Sequence, residues 1–357
     1  MTVDLSTLPK PIHPKALELS KHIEFTSINS KAGSSHVLVG HHKLLDRKVA
    51  VKFYYWGGGD HAEPALLAKL ESDHILKVHH AESINEDDAF FVTPYCAAGD
   101  LDDALAERKF GTIEAIDVLI QIAAGVSFLH GSGYLHRDLK PANIFCLSDN
   151  RFVIGDFGSV VTQNSEGISE TKTRHSLIYR PPEEISDGKF RKQGDIYQLG
   201  LGFYQILGGD LPYEERGWLN DKQKSEYDNL SGWEQQAYAK GIIESRIVRG
   251  KILDLSTLPP WTPAAFKTLI RRCCNIEWTE RYSAVADVTG RLNNLRSKTP
   301  DWRIGEYPVL HRKKHQYRVV PQNGRYAIEK KVTAEWRREK AHTPANLSEA
   351  VQIAEQL

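Results

Sequence analysis

The densest chemical signal in the chain is His136-Arg137-Asp138-Leu139-Lys140-Pro141-Ala142-Asn143. It holds an acceptor carboxylate at Asp138, a cation two residues on at Lys140 and a metal-ligating amide five residues on at Asn143. Thirteen residues after Asn143, the run Gly155-Asp156-Phe157-Gly158 supplies a second carboxylate in a turn that Gly158 permits. Upstream, Val49-Ala50-Val51-Lys52 sets one lysine at the end of an apolar strand, where it can reach the α- and β-phosphates of a nucleotide. A carboxylate to orient a hydroxyl, positive charge for a γ-phosphate and oxygen ligands for magnesium are the parts that phosphoryl transfer needs.

These residues need a scaffold, and the hydrophobic pattern describes one. Short runs rich in Val, Ile and Phe between Ile23 and Lys52, and again at Phe90-Phe91-Val92, read as strands. After Gly99 the period changes to helical, as in Ile116, Leu119, Ile120, Ala123 and Ala124, and in Ile196, Leu199, Phe203 and Ile206. Residues 1–17, with Pro9, Pro11 and Pro14, read as an extended lead-in. The length of 357 residues leaves room for two or three domains. Lys plus Arg and Asp plus Glu both number 46, so the whole-chain charge selects no polyanionic partner. No apolar run approaches the ~18–20 residues of a membrane span. No secretory signal is visible at the amino terminus, and a cytoplasmic location is expected. Cys96, Cys146, Cys273 and Cys274 include no Cys-x-x-Cys pair, which argues against a disulfide scaffold or a structural zinc site.

With its motifs in this order, the chain resembles the eukaryotic-type (Hanks-type) serine/threonine protein kinases over roughly residues 20–295. The resemblance implies an α+β, bilobal kinase fold at 18–298: a small β-rich N-lobe (18–93), a hinge (94–99) and a large helical C-lobe (100–298). It makes Asp138 the catalytic base, Lys140 the phosphate-contacting lysine, Asn143 and Asp156 the magnesium holders, and Lys52 the ATP anchor. Tyr179-Arg-Pro-Pro-Glu183 resembles the end of an activation segment. Asp195 resembles the buried aspartate that fixes the catalytic loop, and Arg281 the arginine that pairs with Glu183. ATP and Mg2+ are the implied cofactors, and the hydroxyls of an unidentified protein substrate the acceptors. Lys140 and Ser176 favour serine and threonine over tyrosine.

Several positions depart from the family pattern. Counting fifteen residues back from Lys52 puts the loop valine at Val37, and the three loop glycines fall on Ser30, Ala32 and Ser35, with a displaced Gly33. Glu63 is the best match for the glutamate partner of Lys52, but Pro64 follows it, so Glu63 either pairs with Lys52 or only caps a helix. The hinge reads Thr93-Pro94-Tyr95-Cys96. Adenine needs the carbonyl of Pro94 and the N–H of Cys96, so the missing N–H of Pro94 costs nothing. Cys96 reads as an apolar wall rather than a nucleophile. Asp100 either accepts from ribose hydroxyls or caps a helix. Between Asp156 and Glu183 lies a polar segment in which Ser169, Thr171 and Thr173 are candidate phosphosites, with Arg137 as the phosphate receptor; a flexible loop that merely contains hydroxyls is the alternative.

The tail is a unit apart. Residues 299–314 read as a linker, and residues 315–357 as a small sheet-plus-helix module, with a hairpin signal at Asn323-Gly324 and a capping box at Asn346 and Glu349. Residues 301–340 carry 11 basic and 5 acidic side chains interleaved with aromatics. A solvated basic face over an aromatic core is the favoured account, and nucleic-acid binding the less favoured one. No membrane partner is expected. Two readings compete with an active kinase: a pseudokinase that binds nucleotide without turnover, and a nucleic-acid-associated regulator with a kinase arm. The intact Lys52, Asp138, Asn143 and Asp156 oppose the pseudokinase.

Overall fold

A computed structural model of the chain describes residues 3–29, 36–55, 68–147, 151–170 and 176–357. In the N-lobe, strands β1 (Ile23–Asn29), β2 (His36–His42), β3 (Arg47–Tyr55), β4 (His80–Ser83) and β5 (Asp88–Pro94) form one antiparallel sheet in the order β1-β2-β3-β5-β4. Val49, Val51 and Phe53 are buried at every second position of β3, and that alternation sends Lys52 to the opposite face. The apolar face of the sheet is covered from outside by Leu8, Ile12 and Ala16. The lead-in is therefore not extended. It forms a 3-10 turn at Leu5–Thr7 and a helix, α1 (His13–Leu19), in which Pro14 occupies the first turn, where a missing N–H breaks no bond.

The C-lobe is built on two buried helices. After α2 (Leu101–Glu107), helix α3 (Thr112–Gly131) runs 20 residues and is long and apolar enough to cross a membrane by length and composition. Here its faces pack into the main core through Ile116, Leu119, Ile122 and Val126. No continuous apolar run shows in the sequence because Glu114, Asp117 and Gln121 interrupt it. Gly125 is required on this helix: a Cβ there would lie 2.5 Å from the His74 carbonyl oxygen and 2.8 Å from Ile154. The loop that carries the site threads through short strand pairs, β6 (Tyr134–Leu135) with β9 (Val161–Thr162), and β7 (Ile144–Leu147) with β8 (Arg151–Ile154). β10 (Ile168–Ser169) pairs with β11 (Phe190–Arg191). Helices α4 (Pro182–Asp187), α5 (Lys192–Ile206), α6 (Asp221–Asp228), α7 (Trp233–Val248), α8 (Ala264–Cys273) and α9 (Val285–Arg296) complete the lobe. Every residue of α5 from Gly194 to Ile206 is buried, the pattern of a helix surrounded on all sides.

The tail departs most from expectation. Residues read as a linker supply two strands, β12 (Asp301–Ile304) and β13 (Pro308–His311). These continue into β14 (Gln316–Gln322), β15 (Arg325–Val332) and β16 (Glu335–Arg338) as a five-stranded antiparallel meander. Helix α10 (Leu347–Gln356) packs Ala350, Val351 and Ala354 on one face of that sheet. The hairpin at Asn323-Gly324 and the Asn346 cap are where the sequence placed them.

The module is seated on the C-lobe. Trp302 is fully buried, its ring centroid 6.4 Å from that of Trp261, and its backbone N–H donates to Thr112 Oγ1 at 3.0 Å. Its indole N–H donates to Glu355 at 2.8 Å, which ties β12 to α10. Trp302→Ala should therefore cost about 3–5 kcal/mol in urea unfolding. A chain ending at Pro300 should melt well below the full chain, because it exposes the Trp261 surface. An unchanged melting temperature in either variant would show that the module contributes nothing to the stability of the lobe.

Candidate active site

The site begins with a buried carboxylate that touches no reactant. Asp195, in the first turn of α5, accepts the backbone N–H groups of His136 at 3.0 Å and Arg137 at 2.8 Å. His130 Nε2, at the end of α3, lies 2.7 Å from Oδ2, the oxygen that also takes the His136 N–H. One helical turn on, Gln198 accepts the Leu139 N–H at 2.9 Å and donates to the carbonyls of Arg137 at 2.8 Å and Tyr179 at 3.1 Å. These bonds hold Arg137 at φ 73°, a conformation that a non-glycine residue adopts only under such restraint. The loop then delivers Asp138 to the cleft. His130 and Gln198 were not singled out from the sequence; Gln198 was detectable, because a position three residues after Asp195 shares its helix face.

Around Asp138 the polar groups converge. Lys140 Nζ donates to Asp138 Oδ2 at 2.9 Å and to Ser176 Oγ at 3.0 Å. Asn143 Nδ2 donates to the Asp138 carbonyl at 2.7 Å and to Oδ2 at 2.8 Å, which leaves the amide oxygen of Asn143 for another partner. The Asn143 carbonyl accepts the Gly155 N–H at 2.9 Å, and His136 Nε2 lies 3.1 Å from the Gly155 oxygen, so the two motifs are laced together. Asp156 follows in a left-handed conformation, φ 57°, with Phe157 buried behind it against Phe91 and His136.

Lys52 reaches this cluster from β3 and forms an ion pair with Asp156. Burial alone would raise the Asp156 carboxyl, but the Lys52 ammonium, helped by Lys140 and His136, holds it below the usual carboxylate range. Val37 sits directly opposite Lys52 in the β2–β3 ladder. Thr93 is buried and Pro94 closes β5 opposite Val49. Burial, with Cys146 adding to it, pushes the Cys96 thiol up to about 11, which fits a wall and not a nucleophile. Asp100 caps α2, accepting the Asp103 N–H at 3.1 Å in a reciprocal capping box.

Other expected residues stand apart. Gly33, Glu63, Thr171 and Thr173 lie outside the described residues. Ser169 is buried, its backbone paired with Phe190. Arg281 clasps Glu183 at 2.9 and 2.7 Å with both side chains out of solvent, away from the cleft.

Two lobes around a cleft, with cations and carboxylates aimed into it, define a phosphotransferase architecture. The protein kinase domain family model matches residues 32–289, more than half of the chain. The chain belongs to that family, and its motifs place it with the eukaryotic-type serine/threonine kinases. It is 28% identical over 195 residues to the interferon-induced, double-stranded RNA-activated protein kinase of Mus musculus, a match covering 49% of this chain and 38% of that protein. It is 28% identical over 207 residues to the maternal embryonic leucine zipper kinase of Danio rerio, covering 56% of this chain and 30% of that protein. The chain thus spans 38% of the length of the first relative and 30% of the second.

The buried Asp195 carboxyl is also held below the usual range: burial raises it, and the His130 contact and backbone N–H groups outweigh burial. Its folded value is depressed, so its stabilisation is complete above the ordinary aspartate value near 4 and is lost as pH falls through the folded value. Asp195→Asn should cost about 1–3 kcal/mol at neutral pH and flatten the acid limb of stability against pH. An acid limb identical to wild type would remove Asp195 from that role.

Proposed function

We propose that the chain transfers the γ-phosphoryl group of ATP, with Mg2+, to serine and threonine hydroxyls of proteins. The observation that carries this reading is the convergence of Lys140, Asn143 and Ser176 on Asp138 beside the Lys52–Asp156 pair. In this reading the Asp138 carboxylate accepts the proton of the acceptor hydroxyl, and Lys140 neutralises charge on the moving phosphoryl group. Ser176 holds the lysine in place.

Magnesium fits the donors present. Asp156 stays ionised, and the amide oxygen of Asn143 is left over from its two donated bonds. Two hard oxygens suit an ion that draws its remaining ligands from water and substrate phosphates. Among the described residues no group of three or more His, Cys, Asp or Glu side chains is placed to hold a metal by itself. Bound magnesium would neutralise the phosphates. Lys52 would turn from Asp156 toward the α- and β-phosphates of ATP, with Val37 and Cys96 walling the adenine.

Autophosphorylation within 162–173 belongs to the same proposal, with Ser169 having to leave its ladder first. The free thiols of Cys96, Cys146, Cys273 and Cys274 support a reducing, cytoplasmic setting.

Asp138→Asn should lower phosphorylation of a generic basic protein by about 10²–10⁴-fold, the usual worth of a positioned acid or base, with ATP affinity within about twofold of wild type. Phosphate incorporation from labelled ATP and nucleotide titration measure the two. Wild-type turnover in the variant would sink the assignment, and wild-type protein without turnover would favour the pseudokinase.

A further inference from the structure

Two of the larger cavities differ in how their charges are matched. In the cleft of about 630 Å³ between the C-terminal module and the C-lobe, each arginine has its own carboxylate. Arg108 pairs with Glu114 at 2.7 Å, Arg296 with Asp117 at 2.6 Å and Arg303 with Asp301 at 3.0 Å. A second cavity, of about 610 Å³, lies between α6 and α7, and Arg246, Arg249 and Lys251 line it together with Asn220, Gln223 and Ser245. Among the described residues no carboxylate lines it.

The nearby acids are engaged elsewhere. Glu244 on α7 is held by Arg180 at 3.0 Å and Lys240 at 3.9 Å. Asp221 on α6 faces Lys224 at 3.6 Å, and Asp254, beyond Lys251, accepts from Ser256 at 2.6 Å. Among the described residues, the three cations of the cavity make no ion pair. Two neutral side chains of the wall have their oxygens engaged. Asn220 Oδ1 accepts the Gln223 N–H at 2.9 Å and Gln223 Oε1 accepts the Asn220 N–H at 3.0 Å. The capping box thus uses both amide oxygens and leaves both NH2 groups. Three like charges along one concave wall, with no carboxylate beside them among the described residues, favour an anion there.

Location narrows the anion. Ile242 on α7 lines this cavity, and the next residue, Ile243, lines the separate pocket that contains Lys140, Ser176 and Tyr179. The same helix therefore borders both the acceptor site and the basic cavity. A polypeptide whose hydroxyl reaches Asp138 can lay a neighbouring residue across α7 into the cavity. Two guanidinium groups and an ammonium match the charge of about −1.5 to −2 and the three acceptor oxygens of a phosphorylated side chain better than a single carboxylate. Phosphoserine and phosphothreonine are also the products of the chemistry assigned above.

We propose that the Arg246–Arg249–Lys251 cavity binds a phosphoserine or phosphothreonine of the protein substrate, so that the chain prefers substrates already phosphorylated near the acceptor. This rests on the reading of the chain as a serine/threonine kinase.

The test uses full-length protein and serine peptides that differ only in whether a second serine, set at a series of spacings, carries phosphate. At the matching spacing, phosphate should lower KM about tenfold with kcat unchanged, the scale of one to three charge-assisted hydrogen bonds. Arg246→Ala, and separately the exposed pair Arg249→Ala with Lys251→Ala, should erase that advantage while leaving kcat and KM for the unphosphorylated peptide intact. If wild type turns over both peptides equally at every spacing, the cavity assignment falls and the kinase reading stands. An advantage that survives both variants also overturns it. If no peptide is turned over, the kinase reading fails, and fluorescence anisotropy of labelled phosphopeptides on wild type and the variants still decides the cavity. Loss of phosphopeptide binding in the variants supports it, and equal binding overturns it. A single-stranded oligonucleotide that binds through these three residues where phosphopeptides do not would overturn it in favour of nucleic acid.

Discussion

The constraint on which the rest depends is the Asp195 carboxylate, buried at the start of α5 with no solvent to stabilise it. A charge in that position survives only if hydrogen bonds replace its hydration, and the donors at hand are the backbone N–H groups of His136 and Arg137, with His130 beside them. Satisfying Asp195 therefore bends the loop. Arg137 is driven to positive φ, and the next residue, Asp138, faces the cleft. Asn143 then fastens the far end of the loop to Asp138 and, through its carbonyl, fixes Gly155. The reactive geometry follows from satisfying one internal charge.

The small lobe is joined to this frame by a polar contact and an apolar one. Lys52 meets Asp156 at the cleft. Behind that pair, Tyr54, Phe91, Phe157 and Val160 form a cluster shared by β3, β5 and the segment after Asp156. The apolar contact is insensitive to ions, whereas the ionic one is exchangeable. A cation that took over Asp156 would free Lys52 without needing the aromatic cluster to part. Burial, with Asp156 adding to it, also pushes the Tyr54 phenol far up, so this cluster stays neutral at any working pH.

Local sequence displayed some of this and hid the rest, for physical reasons. The reactive residues were legible because their chemistry fixes both type and spacing over short runs, as in Asp138-x-Lys140. The pairing of Arg281 with Glu183 came from family resemblance and not from pattern, since the partners are far apart in sequence. The α1 helix was hidden by Pro14, which reads as a breaker unless the helix start is known. Strands β12 and β13 were hidden because each shows few apolar residues, and Trp302 and Leu310 become core only against Tyr317 and Trp261. Asp100 had two readings from sequence, and the local one, a helix cap, is formed in the fold.

The same long-range logic accounts for the charge asymmetry of the tail. Many of its cations are not left to face solvent alone. Arg318 pairs with Glu329 at 2.6 Å and lies over the rings of Trp336 and Tyr307, at 4.7 and 5.7 Å. Lys330 lies over Tyr317 and Lys331 over Trp336, each at 5.8 Å. A thin five-stranded sheet with one helix has too little apolar volume to bury every aromatic on both faces. Long basic side chains solve that problem, because their methylene stems cover the rings while their charged ends stay wet. The excess of Lys and Arg in residues 301–340 is then, in the first place, a way of closing a small fold. A cation already stacked and paired is a poorer ligand for a polyanion than one held without a carboxylate, which is why the anion proposal falls on α7 and not on the tail.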